Sequence, residues 1–307
     1  MIQEINSKNY CIEIREDPEP FLARIIITDE WDGNPKDAKR LLEDIYNKWP
    51  KDKKVKKIKK VKFLITCGGF IHFDWPDSVT KEDIGDNLNP KPDAIKILVE
   101  EAEKCIRSVL TEDLRNKLKN VTDYITIGID SHKEKISDLS KEKTQKYISK
   151  PHIELVFLID LKNNKFRWTG KSYPTSEQER GLVRITDLES HFVGKVMILG
   201  CHDLNIFNPR SDKNAEGWRK EVKEDFKELA QTKKPIIVLQ HPHTAVKVRT
   251  WLNAWCGLRE LLTSVEKYAG AGRYYESWRD PSEYDDLEKV LNYTKYGDTL
   301  DFIVEIK

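Results

Sequence analysis

Two short stretches gather the side chains that do chemistry. Gly200-Cys201-His202-Asp203-Leu204-Asn205 sets a thiol, an imidazole, a carboxylate and an amide close together, and Gln240-His241-Pro242-His243-Thr244 sets two imidazoles two residues apart. A thiol among polar groups is a candidate nucleophile: its thiolate attacks a carbonyl or nitrile carbon, and a neighbouring cation favours the thiolate. Alternatively, Asp203, Asn205, His241 and His243 are the types that ligate metal ions, which activate water for phosphoester cleavage. Asp130-Ser131-His132 ends another apolar run and adds an acid and an imidazole to that second option. Neither pattern is specific alone, because buried cysteines mostly act as small hydrophobes. Arg249, Arg259 and Arg273 offer positive charge to an anionic ligand or to surface pairs. Trp251 and Trp255 stand four apart, the spacing of a helical core face.

The elements that must position these groups are legible around them. The aliphatic runs before Cys201 and before His241 read as strands, and the helix between them shows Trp218, Val222, Phe226 and Leu229 on one face. A β-α-β unit of this kind brings the two strand ends together, and ligands sit outside the carboxyl ends of such strands. Further strands are expected at 21–28, 61–73, 123–130 and 153–161, with a hairpin turn at Asn163-Asn164 and a closing strand TLDFIVEI. Helices are expected after Asn34-Pro35 and over 93–118, 251–262 and 284–292, while 131–151 reads as a polar excursion and 269–278 as a glycine-rich loop. Strands and helices alternate without a linker, which predicts one α/β domain over 1–307.

The chain has 307 residues, with 53 Lys+Arg against 52 Asp+Glu and a net charge of +1. That balance excludes a globally basic nucleic-acid binder, so nucleic acid is not indicated as a partner. The lysine block at 51–62 reads as local surface. No stretch approaches the roughly 18 apolar residues of a membrane span, and the first residues lack the charged and apolar regions of a signal peptide. The five cysteines are an odd number, widely spaced, without a CxxC pair, which predicts reduced thiols and a cytoplasmic protein.

The stretch from Tyr124 to Asn205 resembles the carbon-nitrogen hydrolase (nitrilase) family. There, a hairpin ends in a lysine, as LVFLIDLKNNKFRWTGKSYP does at Lys171, and Gly-(Lys/Arg) then leads an aliphatic strand to a cysteine and an acid, as Gly194-Lys195 leads to Cys201 and Asp203. The order of the remaining elements fits as well. The resemblance implies a four-layer α-β-β-α sandwich, a thiol-dependent hydrolase of a carbon-nitrogen (amide-type) bond, no cofactor and no metal, and pairing into a homodimer. It makes Cys201 the nucleophile and Lys171 the stabiliser of the oxyanion. The family's general-base Glu has no match, because Gly69 occupies its place after the second strand. Either another residue supplies the base, with His202 or His243 as candidates beside Asp203, or the scaffold has lost amidase activity. Glu177 or Glu179 could orient the lysine or replace the base, and Asn205, His241 and Arg249 are candidates for holding substrate.

A second resemblance competes. Gly-Cys-His-Asp at 200–203 is similar to the Gly-Asn-His-(Asp/Glu) motif of calcineurin-like metallophosphoesterases, Asp130-Ser131-His132 to their Asp-x-His, and 240–243 to their later histidine motifs. Cys201 stands where Asn belongs, and the bridging-aspartate motif has no counterpart between 132 and 200. A non-catalytic binding module on the same sandwich is the third option.

Overall fold

A computed structural model describes residues 9–50, 60–80, 83, 91–132, 152–174, 182–275 and 280–307. The first sheet collects β1 (Tyr10–Glu16), β2 (Leu22–Ile27), β3 (Val61–Ile65), β4 (Ile71–Phe73), β5 (Thr122–Ser131), β6 (His152–Asp160), β7 (Lys165–Gly170) and β8 (Leu182–Val183). The second holds β9 (Phe192–Val193), β10 (Val196–Leu199), β11 (Ile237–Gln240), β12 (Lys267–Gly270) and β13 (Lys295–Tyr296), and β14 (Thr299–Ile306) returns to the first. The first sheet runs β1-β14-β2-β3-β5-β6-β7, with β4 on β5 and β8 on β6; the second runs β13-β12-β11-β10-β9.

The two sheets pack face to face. Ile26, Phe63, Ile65, Val156 and Leu158 of the first meet Ile198, Leu239 and Ala269 of the second in one apolar cluster. Helices cover both outer faces. On the first sheet lie α1 (Pro35–Lys48), α2 (Pro92–Val109) and α3 (Glu112–Leu118), burying Leu41, Leu98 and Leu114. On the second lie α4 (Pro209–Asn214), α5 (Trp218–Lys233) and α6 (Val248–Leu261), whose Phe226 and Leu258 pack on Met197, Val238 and Tyr268; α7 (Leu287–Tyr293) precedes β13. This is the four-layer α-β-β-α sandwich expected from the sequence. Strands covered on both faces explain why β2 is apolar throughout, LARIII apart from one arginine.

Local chemistry fixes the boundaries. The Asn34 side chain caps α1 by accepting from the Lys36 N–H at 2.9 Å, with Pro35 in the first turn. The helix expected over 93–118 is two helices, because Thr111 caps a new start by accepting from the Leu114 N–H. Residues 267–270, inside or beside the expected loop, form β12, parallel to β11. β1 is not among the expected strands, although Tyr10, Ile12 and Ile14 alternate along it and pack on the core. Of the 131–151 excursion, Ser131 ends β5 and residues 133–151 lie outside the described residues, as do most of the lysine block, Glu177 and Glu179.

One buried ion pair stitches the layers. Arg24 on β2 is fully buried and donates through Nε and Nη2 to Asp301 on the adjacent β14, at 2.8 and 2.5 Å. Its remaining donors reach the Thr294 hydroxyl and the carbonyl of Leu291 beyond the sheet. Removing one partner of such a pair strands the other charge in the core, so Asp301→Ala should lower the unfolding free energy in urea by about 3–5 kcal/mol. Replacing both partners together (Arg24→Met with Asp301→Leu) should cost less than Asp301→Ala alone.

Candidate active site

The site forms where the strand ends of the two sheets meet. The His241-Pro242-His243 turn after β11 docks on the Thr66-Cys67-Gly68 turn after β3. Gly68 N–H donates to the Pro242 carbonyl at 2.9 Å, and His241 Nδ1 bonds the Thr66 carbonyl at 2.8 Å. The approach needs glycine: a Cβ on Gly68 would stand 2.8 Å from the His241 carbonyl oxygen. Arg273 holds the turn from the other side, its Nε donating to the His243 carbonyl at 3.1 Å and its Nη1 to that of Trp31 at 3.0 Å.

Cys201 sits just past β10, partly buried, and its sulfur accepts the His243 backbone N–H at 3.4 Å. Lys171, fully buried just past β7, donates to Glu154 Oε1 on the neighbouring β6 at 3.0 Å. Two residues back along β6, His152 points its Nε2 between Glu154 Oε1 (3.4 Å) and Asp130 Oδ2 (3.6 Å). Asp130 lies opposite Glu154 in the β5–β6 register, and its Oδ2 meets His243 Nε2 at 2.5 Å. Gly68, Asp130, Glu154, Cys201, His241 and His243 line one narrow cavity with room of about 10 Å³, near the space of a single water.

Charges organise this cluster. Burial opposes ionisation of Asp130, but His243 and His152 outweigh it and hold the carboxyl well below its ordinary range. Burial likewise opposes the charge on Glu154, yet His243 and Lys171 keep it an anion. The same balance, with the sign reversed, holds the His243 imidazole well above its ordinary value, since Asp130 and Glu154 overcome desolvation. Lys171 and His152 are raised too, against burial, by their carboxylates. Both Lys171 and His243 lie within electrostatic reach of the Cys201 sulfur. The nearby His202 and His241 behave oppositely: burial pushes each down to about 4, helped at His202 by Lys171.

The structure unites Cys201, Lys171, His243 and His241 of the residues named from sequence. It gives others different tasks. Asp203, read from sequence as part of the catalytic group, spends its carboxylate on the backbone: Oδ1 accepts from the N–H of Ser172 and Tyr173 at 2.9 and 2.8 Å, and Oδ2 from that of Gly200 at 2.8 Å. It therefore clamps the Lys171 turn to the Cys201 turn. Asn205 turns its amide to His202 Nδ1 at 3.1 Å, and neither residue lines the cavity. Arg249 is exposed on α6, away from the cavity lining. The metal set Asp203, Asn205, His241 and His243 is not assembled, and His132 lies 3.7 Å from Asp74. Trp255 stacks on Tyr268 with ring centroids 3.9 Å apart, a core contact.

Sequence reading missed Glu154 and His152 and gave Asp130 a different set of partners. The signal was present: Glu154 interrupts the apolar run of β6, IELVFLID, and Asp130 ends the apolar β5. An acid inside a strand buried on both faces must have a partner or a task.

Gly69, where the nitrilase pattern has Glu, is in the left-handed region with φ +61°. A Cβ there would meet Asp130 Oδ2 at 2.9 Å, His72 Nε2 at 3.1 Å and His243 Cδ2 at 3.4 Å. The space a side chain would need at this position is occupied by the Asp130–His243 pair.

No known family profile matches the sequence, and no curated protein matches it. Among solved structures, the chain is similar to an amidase from Nesterenkonia sp., at 12% identity and TM-score 0.43, covering 84% of this chain and 78% of that one. It is also similar to a mutant of the Nesterenkonia sp. AN1 amidase carrying the acetamide moiety of fluoroacetamide on its active-site cysteine (11%, TM-score 0.44, 84% and 78%). A third is a mutant of the same amidase in complex with butyramide (11%, TM-score 0.44, 83% and 78%). Identity this low leaves the chemistry to be derived from the residues of the site.

The Asp130–His243 pair links stability to pH. A carboxyl held below its ordinary 3.8 contributes stability above that value and loses it as pH falls through the folded value. An imidazole held above 6.5 contributes fully below 6.5 and loses that contribution as pH rises through the folded value. Asp130→Asn removes the first and weakens the second, which Glu154 still supports. The stability gap between wild type and this variant, measured by urea unfolding, should be widest between 3.8 and 6.5 and narrow on the alkaline side.

Proposed function

We propose that the protein is a thiol-dependent hydrolase of carbon-nitrogen (amide-type) bonds, with Cys201 as nucleophile, Lys171 as oxyanion stabiliser and His243 as the proton-transfer group. The observation that carries the reading is that Cys201 lies within electrostatic reach of two carboxylate-paired cations, Lys171 with Glu154 and His243 with Asp130.

Each group has a task in the reaction. The Cys201 thiolate attacks the amide carbonyl, and negative charge collects on the carbonyl oxygen as the tetrahedral intermediate forms. The Lys171 ammonium is a preorganised donor for that charge, and Glu154 anchors it without solvent. The carboxylate of Asp130 only accepts, so His243 turns Nε2–H toward it and leaves Nδ1 for proton transfer, the orienting role an acid plays in a Ser-His-Asp triad. Protonated His243 gives its Nδ1 proton to the leaving amine, the C–N bond breaks, and an acyl thioester remains on Cys201. Neutral Nδ1 then takes a proton from water as water attacks the thioester, and the acid product leaves with the thiol regenerated. In this chain the histidine–aspartate couple does what the missing Glu does in the resembling family.

All five cysteines are free, in keeping with a reducing, cytoplasmic setting. Among the described residues no helix is long and apolar enough to cross a membrane. Homodimer formation remains part of the proposal through the resemblance alone. Of the ligands that the metallophosphoesterase reading expects, Asp130 and His243 meet, while Asp203 is spent on backbone N–H groups and Asn205 on His202.

Ammonia release from short primary amides is the assay. Cys201→Ala should abolish it, and Lys171→Met should reduce it by about 10²–10³-fold, as for loss of an oxyanion donor. His243→Gln should cost about 10²–10⁴-fold. EDTA should not lower the rate. Full activity in Cys201→Ala would end the reading.

A further inference from the structure

The cluster contains a group that the hydrolytic cycle does not use. His152 is about nine-tenths buried, 9% exposed, and its Nε2 makes no hydrogen bond. Its Nδ1 lies 3.1 Å from the Ser131 carbonyl, an oxygen that only accepts. The proton of neutral His152 therefore sits on Nδ1, and the Nε2 lone pair points into the cluster. A second-sphere carbonyl holding one ring nitrogen while the other is bare is the usual posture of a metal-binding histidine.

The bare nitrogen has company. Asp130, His152 and His243 each offer one ligand atom, and the three atoms lie within 4.8 Å of one another. Around a tetrahedral Zn²⁺ with bonds of about 2.0–2.1 Å, neighbouring ligand atoms stand roughly 3.4 Å apart. His152 and Asp130, at 3.6 Å, already have that spacing. His243 and Asp130, at 2.5 Å, share a proton instead and must part by about an ångström for both to hold an ion. His243 is the member able to move, through its side-chain torsions, since 22% of that side chain is exposed, while Asp130 and His152 are on paired strands.

We propose that Asp130, His152 and His243 form a binding site for a divalent transition ion of the Zn²⁺ class, and that the bound ion silences the thiol site by taking His243. Two imidazoles and one carboxylate suit Zn²⁺, Co²⁺ or Ni²⁺, whereas Mg²⁺ and Ca²⁺ ask for oxygen ligands. On binding, any Nε2 protons on His243 and His152 pass to solvent, and the neutral, ion-bound His243 ring keeps an Nδ1–H too weakly acidic to protonate a leaving amine. Only the silencing rests on the hydrolase reading; ion binding stands without it.

Co²⁺ titration of the EDTA-treated, dialysed full chain, followed by visible absorption and by Zn²⁺ competition, reads the site whether or not the protein turns over an amide. One ion per chain is expected, displaced by Zn²⁺ and not by Mg²⁺. Affinity should fall about tenfold or more in His152→Gln and in His243→Gln, and should persist in Cys201→Ala. His243→Gln, on the half-exposed turn, serves if His152→Gln does not fold. Failure of wild type to bind, unchanged affinity in the histidine variants, or loss of binding in Cys201→Ala would overturn the site. Ammonia release from an amide should fall in step with Zn²⁺ occupancy; unchanged or rising release at full occupancy would overturn the silencing.

Discussion

Two carboxylates buried on facing strands dictate the architecture of this site. Asp130 and Glu154 are cross-strand partners in the β5–β6 ladder and are almost wholly out of water. An unpaired buried carboxylate costs several kcal/mol or more, so each must be met by a cation. Lys171 comes from the same sheet and meets Glu154, while His243 comes from the other sheet and meets Asp130. The seam between sheets is therefore held by electrostatics at one end, and the residues that satisfy it are the ones placed beside Cys201. Stability and chemistry draw on the same charges.

Backbone approach sets the second condition. The turn after β11 can reach the turn after β3 only because Gly68 has no side chain, and the Asp130–His243 pair fits only because Gly69 has none. The absence of a Glu at Gly69 is thus matched by a structure built into the same space. Asp203 supplies the third condition by binding three backbone N–H groups across two turns, which fixes Lys171 relative to Cys201. A carboxylate that looks catalytic in the sequence is here a clamp.

Much of this was legible in the residues. Aliphatic runs ending in polar clusters located β10 and β11 and their shared end, and the Asn34-Pro35 cap located α1. The lysine at the end of the β6–β7 hairpin was identified together with Cys201. Partnership was less legible, because it depends on register and on contacts far apart in sequence. Nothing local joins Asp130 to His243 across 113 residues, and Glu154 reads as one acid in an apolar strand until the β5–β6 register sets it opposite Asp130. β12 offers only four residues to read, whereas β1 carries a period-two signal in Tyr10, Ile12 and Ile14 that was there to be used.

The central claim is that Cys201 is the reactive thiol because of the cations assembled around it. Site-resolved iodoacetamide labelling, read by peptide mass spectrometry, tests this directly, with the exposed Cys11 and Cys256 as internal references. The account predicts that near neutral pH Cys201 is alkylated faster than both despite being less exposed, and that Lys171→Met removes the advantage. Labelling of Cys201 at or below the rate of the two exposed thiols, unchanged in Lys171→Met, would contradict it.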